Sequence, residues 1–401
     1  MDQAGMESGS LDGGEIAPAA LVCFSHLRWD FVWQRPQHLL SRFARRVPVV
    51  VVEEPVYAGA AADHLRVARH GDVTVLTPVF AAEPDPAWGF NDAANPRVAA
   101  LLAPALTERG LIGPAAAPAI AWYYTPMALG AAPAGFAPVL TVFDAMDELA
   151  QFRGAPPALR EREAALMAAA DLVFAGGPSL YAARAGRHPN VVCFPSGVEV
   201  AHFAQAAAGI PVAAAIADLP RPILGFYGVL DERLDLDLIA AVADARPDWT
   251  IAMIGPVVKI APADLPDRPN IAYVGKQEYG DLPSFLAGFD VAILPFARNE
   301  ATRFISPTKT LEYLAGQKPV VSTPIADVVD LYGAVVEVAA TPAAFVAAAA
   351  GVLAEDLVAR ARRRATAEAI LAQHTWDAIA DGMWALLAAS PVAAPAVASA
   401  D

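Results

Sequence analysis

Cysteine is nearly absent: Cys23 and Cys193 are the only two in 401 residues, each within an apolar, strand-like run. That excludes a disulfide scaffold and a cysteine-based zinc site, and both thiols are expected to be buried and reduced. His64, His70, His188, His202 and His374 lack the spacing of metal ligands. Also missing are a Gly-x-x-x-x-Gly-Lys-Ser/Thr loop, a Gly-x-Ser-x-Gly elbow and a Gly-x-Gly-x-x-Gly turn after the first strand. Their absence disfavours an ATPase, a serine hydrolase and a dinucleotide oxidoreductase. Asp235-Leu236-Asp237 matches the Asp-x-Asp of metal-dependent transferases in form only, because at a helix start an aspartate reads as a cap. No metal or other cofactor is expected.

Long hydrophobic runs are lacking too. Val47–Val52 is too short to span a bilayer, and the run from Val335 to Ala350 is alanine-dominated and broken by Pro342. Residues 1–17 carry four acidic residues and no basic one, unlike a secretory signal. The chain is therefore expected in the cytoplasm, with room left for peripheral contact at the inner membrane face. Positive charge is scarce, at 28 Lys+Arg against 43 Asp+Glu and a formal net charge of −15. Nucleic acid is thus not an expected partner, since phosphate binding needs clustered cations. The Arg360, Arg362, Arg363 and Arg364 cluster reads as a solvated helix face beside Glu355, Asp356 and Glu368.

What is present is an alternation of short β-rich runs with helical patterns. In the first half, strands are expected at Ala20–Ser25, Val47–Glu53, Ala119–Tyr124, Val139–Phe143, Leu172–Ala175 and Val191–Phe194. Helices fall between them at Arg35–Arg46, Pro156–Ala170 and Pro178–Ala185. Residues 209–222, rich in Pro and Ala, read as a linker. The alternation restarts with strands Ile223–Tyr227, Thr250–Ile254, Ile271–Val274, Val291–Pro295 and Pro319–Ser322, and with helices including Asp235–Ala245 and Thr308–Ala315. Such order predicts an α/β chain of two Rossmann-like halves with mostly parallel sheets. The expected layout is a disordered head (1–17), a first domain (18–208), the linker, a second domain (223–374), a last helix returning to the first domain (375–390) and a disordered tail (391–401).

Ligands of open parallel sheets bind beyond the carboxyl ends of the strands. At one such junction stands Ser306-Pro307-Thr308-Lys309-Thr310-Leu311-Glu312, entering a helix that Gly316 ends. Free amides at a helix start at Ser306 or Pro307 suit a diphosphate, Lys309 adds a point charge, and Glu312, one turn on, suits a ribose diol. In the first half, Arg35, Gln37 and His38 open a helix facing the expected cleft. Arg35 suits a phosphate or carboxylate, and the alternative for the group is a capped helix with a partly buried histidine. Phe143-Asp144-Ala145-Met146-Asp147-Glu148 is the richest carboxylate cluster. Asp144 or Asp147 there suits the role of base, and the competing reading makes Asp147 a helix cap.

The run SPTKTLEYLAGQKPVV resembles the nucleotide-sugar signature of glycosyltransferase family 4, which has the GT-B fold. Asn190–Phe203, Gly225–Gly228 and Asn270–Pro295 resemble further parts of that family at matching places, so the likeness covers roughly residues 20–390. The segment holding Trp29, Asp30, Gln34, Arg35, Pro36, Gln37 and His38 is similar to a bacterial branch associated with surface-polysaccharide synthesis of the teichuronic-acid type. The resemblance implies a GT-B enzyme that moves a sugar from a nucleoside diphosphate sugar to a glycan or lipid-linked acceptor, with retention. It places Gly228, Arg233, Arg303, Ser306, Pro307, Thr308 and Lys309 on the donor diphosphate and sugar, and Glu312 on the ribose. Arg35 and Gln37 fall on the acceptor side, with Asp144, Asp147 and His38 as catalytic candidates.

Two departures stand out. The family's first glutamate lies eight positions before the second, and that place is Phe304. After the first strand of the second half the family commonly has two cations, whereas here Arg233 is alone. An epimerase or hydrolase on the same fold, and a catalytically silent partner or sensor module, are the competing readings.

Overall fold

The computed structural model describes residues 18–83, 88–152, 154–300 and 302–390, so the expected disordered ends lie outside the described residues. The first half contributes β1 (Ala20–Ser25), β2 (Val49–Glu53), β3 (Val56–Ala60), β4 (His64–His70), β5 (Val73–Ala81), β6 (Ala119–Tyr123), β7 (Leu140–Ala145), β8 (Leu172–Ala175) and β9 (Val191–Cys193). They form one sheet in the order β3-β5-β2-β1-β6-β7-β8-β9, with β4 antiparallel to β5 and every other pair parallel. β1 is buried at every residue, as a strand covered by helices on both faces should be.

The second sheet joins β10 (Ile223–Tyr227), β11 (Thr250–Ile254), β12 (Ile271–Gly275), β13 (Val291–Leu294), β14 (Val320–Ser322) and β15 (Val336–Val338), all parallel. Its order, β12-β11-β10-β13-β14-β15, is that of a doubly wound Rossmann sheet. In each sheet the chain winds outward both ways from the first strand. A crevice therefore opens beyond the carboxyl ends of β1 and β6 in one half, and of β10 and β13 in the other.

Between β2 and β6, three further strands and the helix Ala94–Glu108 form, none of them among the expected elements. β4 (HLRVARH) is almost wholly exposed, so it lacks the one-sided burial that gives strands their alternation. The helix carries Pro104 inside it. Val198, Phe203 and Ala206 already pack in the second core, and Ile216, within the expected linker, is fully buried there. The passage between halves thus begins before residue 209, and its apolar side chains are anchored. The last helix, Trp376–Ala389, buries Trp376, Ile379, Met383 and Leu387 against Leu39, Leu40 and Phe43 of the first half. Cys23 is buried and Cys193 half-buried, both as free thiols. Among the described residues no single helix is long and apolar enough to cross a membrane.

Candidate active site

The two crevices face each other and enclose one cavity of about 810 Å³, walled by both halves. Register sets its geometry. Tyr227 pairs with Ile254 and Gly225 with Ala292, so the turns after β10, β11 and β13 emerge side by side.

On the second-half wall, Gly228 and Gly255 both adopt positive φ, 141° and 147°. A Cβ on Gly255 would stand 1.8 Å from the Gly228 carbonyl oxygen, and one on Gly228 would stand 2.1 Å from Cε of Lys309. The Lys309 stem is laid directly over the Gly228 turn, with Nζ 5.8 Å from the Phe226 ring centre. A cation from the far side of β13 thus reaches the turn that has only Arg233 of its own. Glu312 is 8% exposed and lines the cavity. Burial pushes its carboxyl up to about 7, while Lys309 and the neighbouring Tyr227 hydroxyl hold it down. That hydroxyl is buried without a formed hydrogen bond.

Ser306, Pro307 and Thr308 also line the cavity, but the helix starts later than expected, at Lys309, with Thr308 as its cap. The backbone N–H groups of Thr310, Leu311 and Glu312 bond to Pro307 and Thr308. The surface presented to the cavity here is accordingly the loop and Lys309 rather than a helix end opened by Ser306. Arg233 lines the cavity in a bidentate pair with Asp231, with contacts of 2.7–3.0 Å. Arg303 does not belong there: its side chain is 66% exposed, reaches toward Glu300 at 3.7 Å, and is absent from the cavity wall.

On the first-half wall the carboxylate cluster divides. Asp144 is fully buried and ion-paired with Arg35 at 3.0 Å, while Arg35 Nη1 donates to the Phe194 carbonyl at 2.8 Å. Asp144 is therefore removed as a candidate base, and Arg35 is no free phosphate receptor: each neutralises the other. Gln37 is also corrected. Its side chain is spent on the loop, accepting from Gln34 N at 3.0 Å and donating to the Trp29 and Val32 carbonyls. These bonds fix the turn that presents Phe31 and Trp33.

Asp147, two residues beyond β7, faces the cavity, caps no helix, and has its carboxyl pushed up by burial against the pull of Arg233 and Lys259. His38 lines the cavity while stacked on Trp376, 4.6 Å between centres. Burial first, then Arg42 and His202, keep it neutral. Its Nδ1 accepts from Trp33 Nε1 at 3.1 Å, so Nε2 carries the proton and is the donor.

The structure adds residues that spacing did not single out. Gly255 mirrors Gly228 at the end of the adjacent strand. Tyr279 donates to Glu199 at 3.0 Å and packs on Trp33 and His38. Lys259 reaches across from the second half to the Phe152 ring, 4.5 Å away. Asp327 accepts from Ser179 N at 3.0 Å, tying the second half to a helix start of the first. Each joins segments far apart in sequence, and only the glycine ending a buried strand leaves a local trace. Asp235 caps its helix, accepting from Leu238 N at 2.8 Å. Among the described residues no three His, Cys, Asp or Glu side chains are grouped to hold a metal ion.

Solved structures share this architecture. Sucrose-phosphate synthase from Thermosynechococcus elongatus superimposes with a TM-score of 0.70 at 15% identity, over 92% of this chain and 98% of that one. The Escherichia coli trehalose-6-phosphate structure bound with UDP-2-fluoro glucose gives 0.66 at 14% identity, over 92% and 99%. The chain has the GT-B glycosyltransferase fold. A UDP-forming α,α-trehalose-phosphate synthase from Burkholderia xenovorans, in complex with glucose-6-phosphate, also shares this GT-B fold, at 0.65 and 15% identity over 92% and 99%. Residues 235–385 match the family model described as glycosyl transferase-like. The putative teichuronic acid biosynthesis glycosyltransferase TuaH of Bacillus subtilis (strain 168) is 31% identical over 104 residues. That match spans 25% of this chain and 26% of TuaH, about a quarter of the relative's length.

Proposed function

We propose that this GT-B chain transfers a sugar, with retention, from a nucleoside diphosphate sugar to a glycan or lipid-linked acceptor in cell-surface glycan assembly. One observation carries the reading: Gly228, Lys309 and Glu312 converge on one wall of a cleft whose other wall holds His38 and Asp147. The close-set Gly228 and Gly255 turns leave backbone open to a diphosphate, Lys309 supplies charge, and Glu312 accepts from the ribose hydroxyls. Catalysis in this account comes mainly from stabilising the departing diphosphate with Lys309 and Arg233 in a closed, water-poor cleft. Asp147 is a cavity-facing carboxyl raised by burial, and in this reading it takes the proton of the reacting acceptor hydroxyl. The surface-glycan role rests on the partial match to TuaH and on the Trp29–His38 segment.

Phe304 in place of a carboxylate favours a second reading, a silent module that binds the nucleotide sugar without turnover. Incubation with UDP-, GDP-, ADP- and dTDP-sugars and mixed bacterial glycan acceptors separates them. Release of one nucleotide only when acceptor is present supports transfer. Release without acceptor points to a hydrolase, and binding without release to the silent module.

A further inference from the structure

On the first-half rim of the cleft, Phe31 and Trp33 are 41% and 39% exposed and both line the cavity, unlike the other exposed aromatics Trp88, Tyr181 and Tyr273. Trp33 is not loose. Its indole N–H is bonded to His38, Trp29 meets it edge-on at 6.2 Å, and Tyr279 lies 6.2 Å away from the opposite half. A ring held from three sides loses little freedom when something stacks on its open face. Asp30, between Phe31 and Trp29, has a side chain 78% exposed and lines the same cavity. Aromatic faces carry negative charge and attract the C–H groups of a pyranose ring, while a flanking carboxylate accepts from its hydroxyls.

Charge decides what kind of acceptor fits. The charged residues on the described first-half wall are Asp30, Arg35 and Asp147. Arg35 is consumed by Asp144 and the Phe194 carbonyl, and His38 is neutral. Across the cleft, Arg233 belongs to the diphosphate wall, and Lys276, 5.8 Å from the Phe31 ring centre, stands 3.7 Å from Glu278. Among the described residues the charges around the platform are Asp30 and Glu278 against Lys276, with His70 3.5 Å from Asp30, so no surplus of positive charge faces an acceptor there. A phosphate or uronate there would gain no net electrostatic attraction.

Resting on the transferase reading, we infer that the acceptor end is an uncharged glycan chain stacked on Trp33 and Phe31, not a sugar phosphate or an acidic sugar. The rim position suits a chain, whose further sugars run out of the cleft across Phe31.

An array of short neutral and uronate-containing oligosaccharides, probed with the full chain with and without UDP, tests this. Neutral glycans are expected to be retained, glucose 6-phosphate should not compete, and Trp33→Ala should weaken retention by about ten-fold or more. Trp33→Phe, which keeps a ring, should recover most of it, and Phe31→Ala should reduce it less than Trp33→Ala. Retention of none of the neutral glycans, preference for uronates, competition by glucose 6-phosphate, or retention unchanged in Trp33→Ala overturns the inference. Thermal stabilisation by nucleotides, measured on the same proteins, checks folding and separates the two readings. If a nucleotide stabilises and glycans fail, only the acceptor inference falls. If glycans bind and no nucleotide does, the transferase reading falls.

Discussion

The carbonyl oxygen of Gly228 stands 1.8 Å from where a Cβ of Gly255 would be. Both residues sit at positive φ, so a side chain on either is strained as well as crowded. Gly255→Ala should push the two turns apart, costing about 1–3 kcal/mol of stability and most of the nucleotide affinity. Gly280→Ala, with no atom within 4 Å of the added carbon, is the control and should change neither. Urea unfolding and nucleotide titration of both variants check it.

Asp144 and Asp147 should behave oppositely. Asp144→Ala leaves Arg35 buried and unpaired, and should cost about 3–5 kcal/mol in urea unfolding. Asp147→Asn removes a carboxylate that burial already disfavours. It should leave stability nearly unchanged and lower turnover by about a hundred-fold or more. Turnover surviving in Asp147→Asn would remove it from the reaction.

Much of this was legible in sequence. β1, β8, β10 and β11 fall where their apolar runs end, because a strand buried on both faces writes itself as a continuous run. That Ser306–Glu312 would line the cleft was legible because its residue types and order are local. Asp144 and Arg35 were not, since 109 positions separate them and residue type alone does not tell a cleft carboxylate from a buried ion pair. Arg303 misled for the same reason: it is near Ser306 in sequence but its side chain lies on the outer side of the loop.

Lys309 and Arg303 give a direct contrast. Lys309→Met should weaken binding of a nucleoside diphosphate by about ten-fold or more, through loss of a charge-assisted contact. Arg303→Ala should stay within about two-fold, as an exposed charge outside the cavity contributes little. Calorimetric titration of the two variants measures both.

Glu312 makes binding depend on pH. With its carboxyl raised to about 7, the empty folded chain holds a proton that the unfolded chain releases near 4.5. Its contribution to stability is therefore present at low pH and lost as pH rises from about 4.5 through 7. Ribose hydroxyls donate to the ionised form, so nucleotide binding below pH 7 should release a proton. Affinity should rise about ten-fold for each pH unit between 5.5 and 6.5, levelling above 7. Glu312→Gln should lose that component, leaving only the titration of the phosphate itself.

In the proposed donor site the cleft holds a nucleoside diphosphate through Glu312 and Lys309. Thermal stabilisation by UDP, GDP, ADP, dTDP and their sugars, in wild type and Glu312→Ala, tests it most directly, because a ligand of the native state raises the melting point by mass action. A selective rise with one nucleotide and its sugars, lost in Glu312→Ala, is expected. No rise with any of them at millimolar concentration, or an equal rise in the variant, would contradict it.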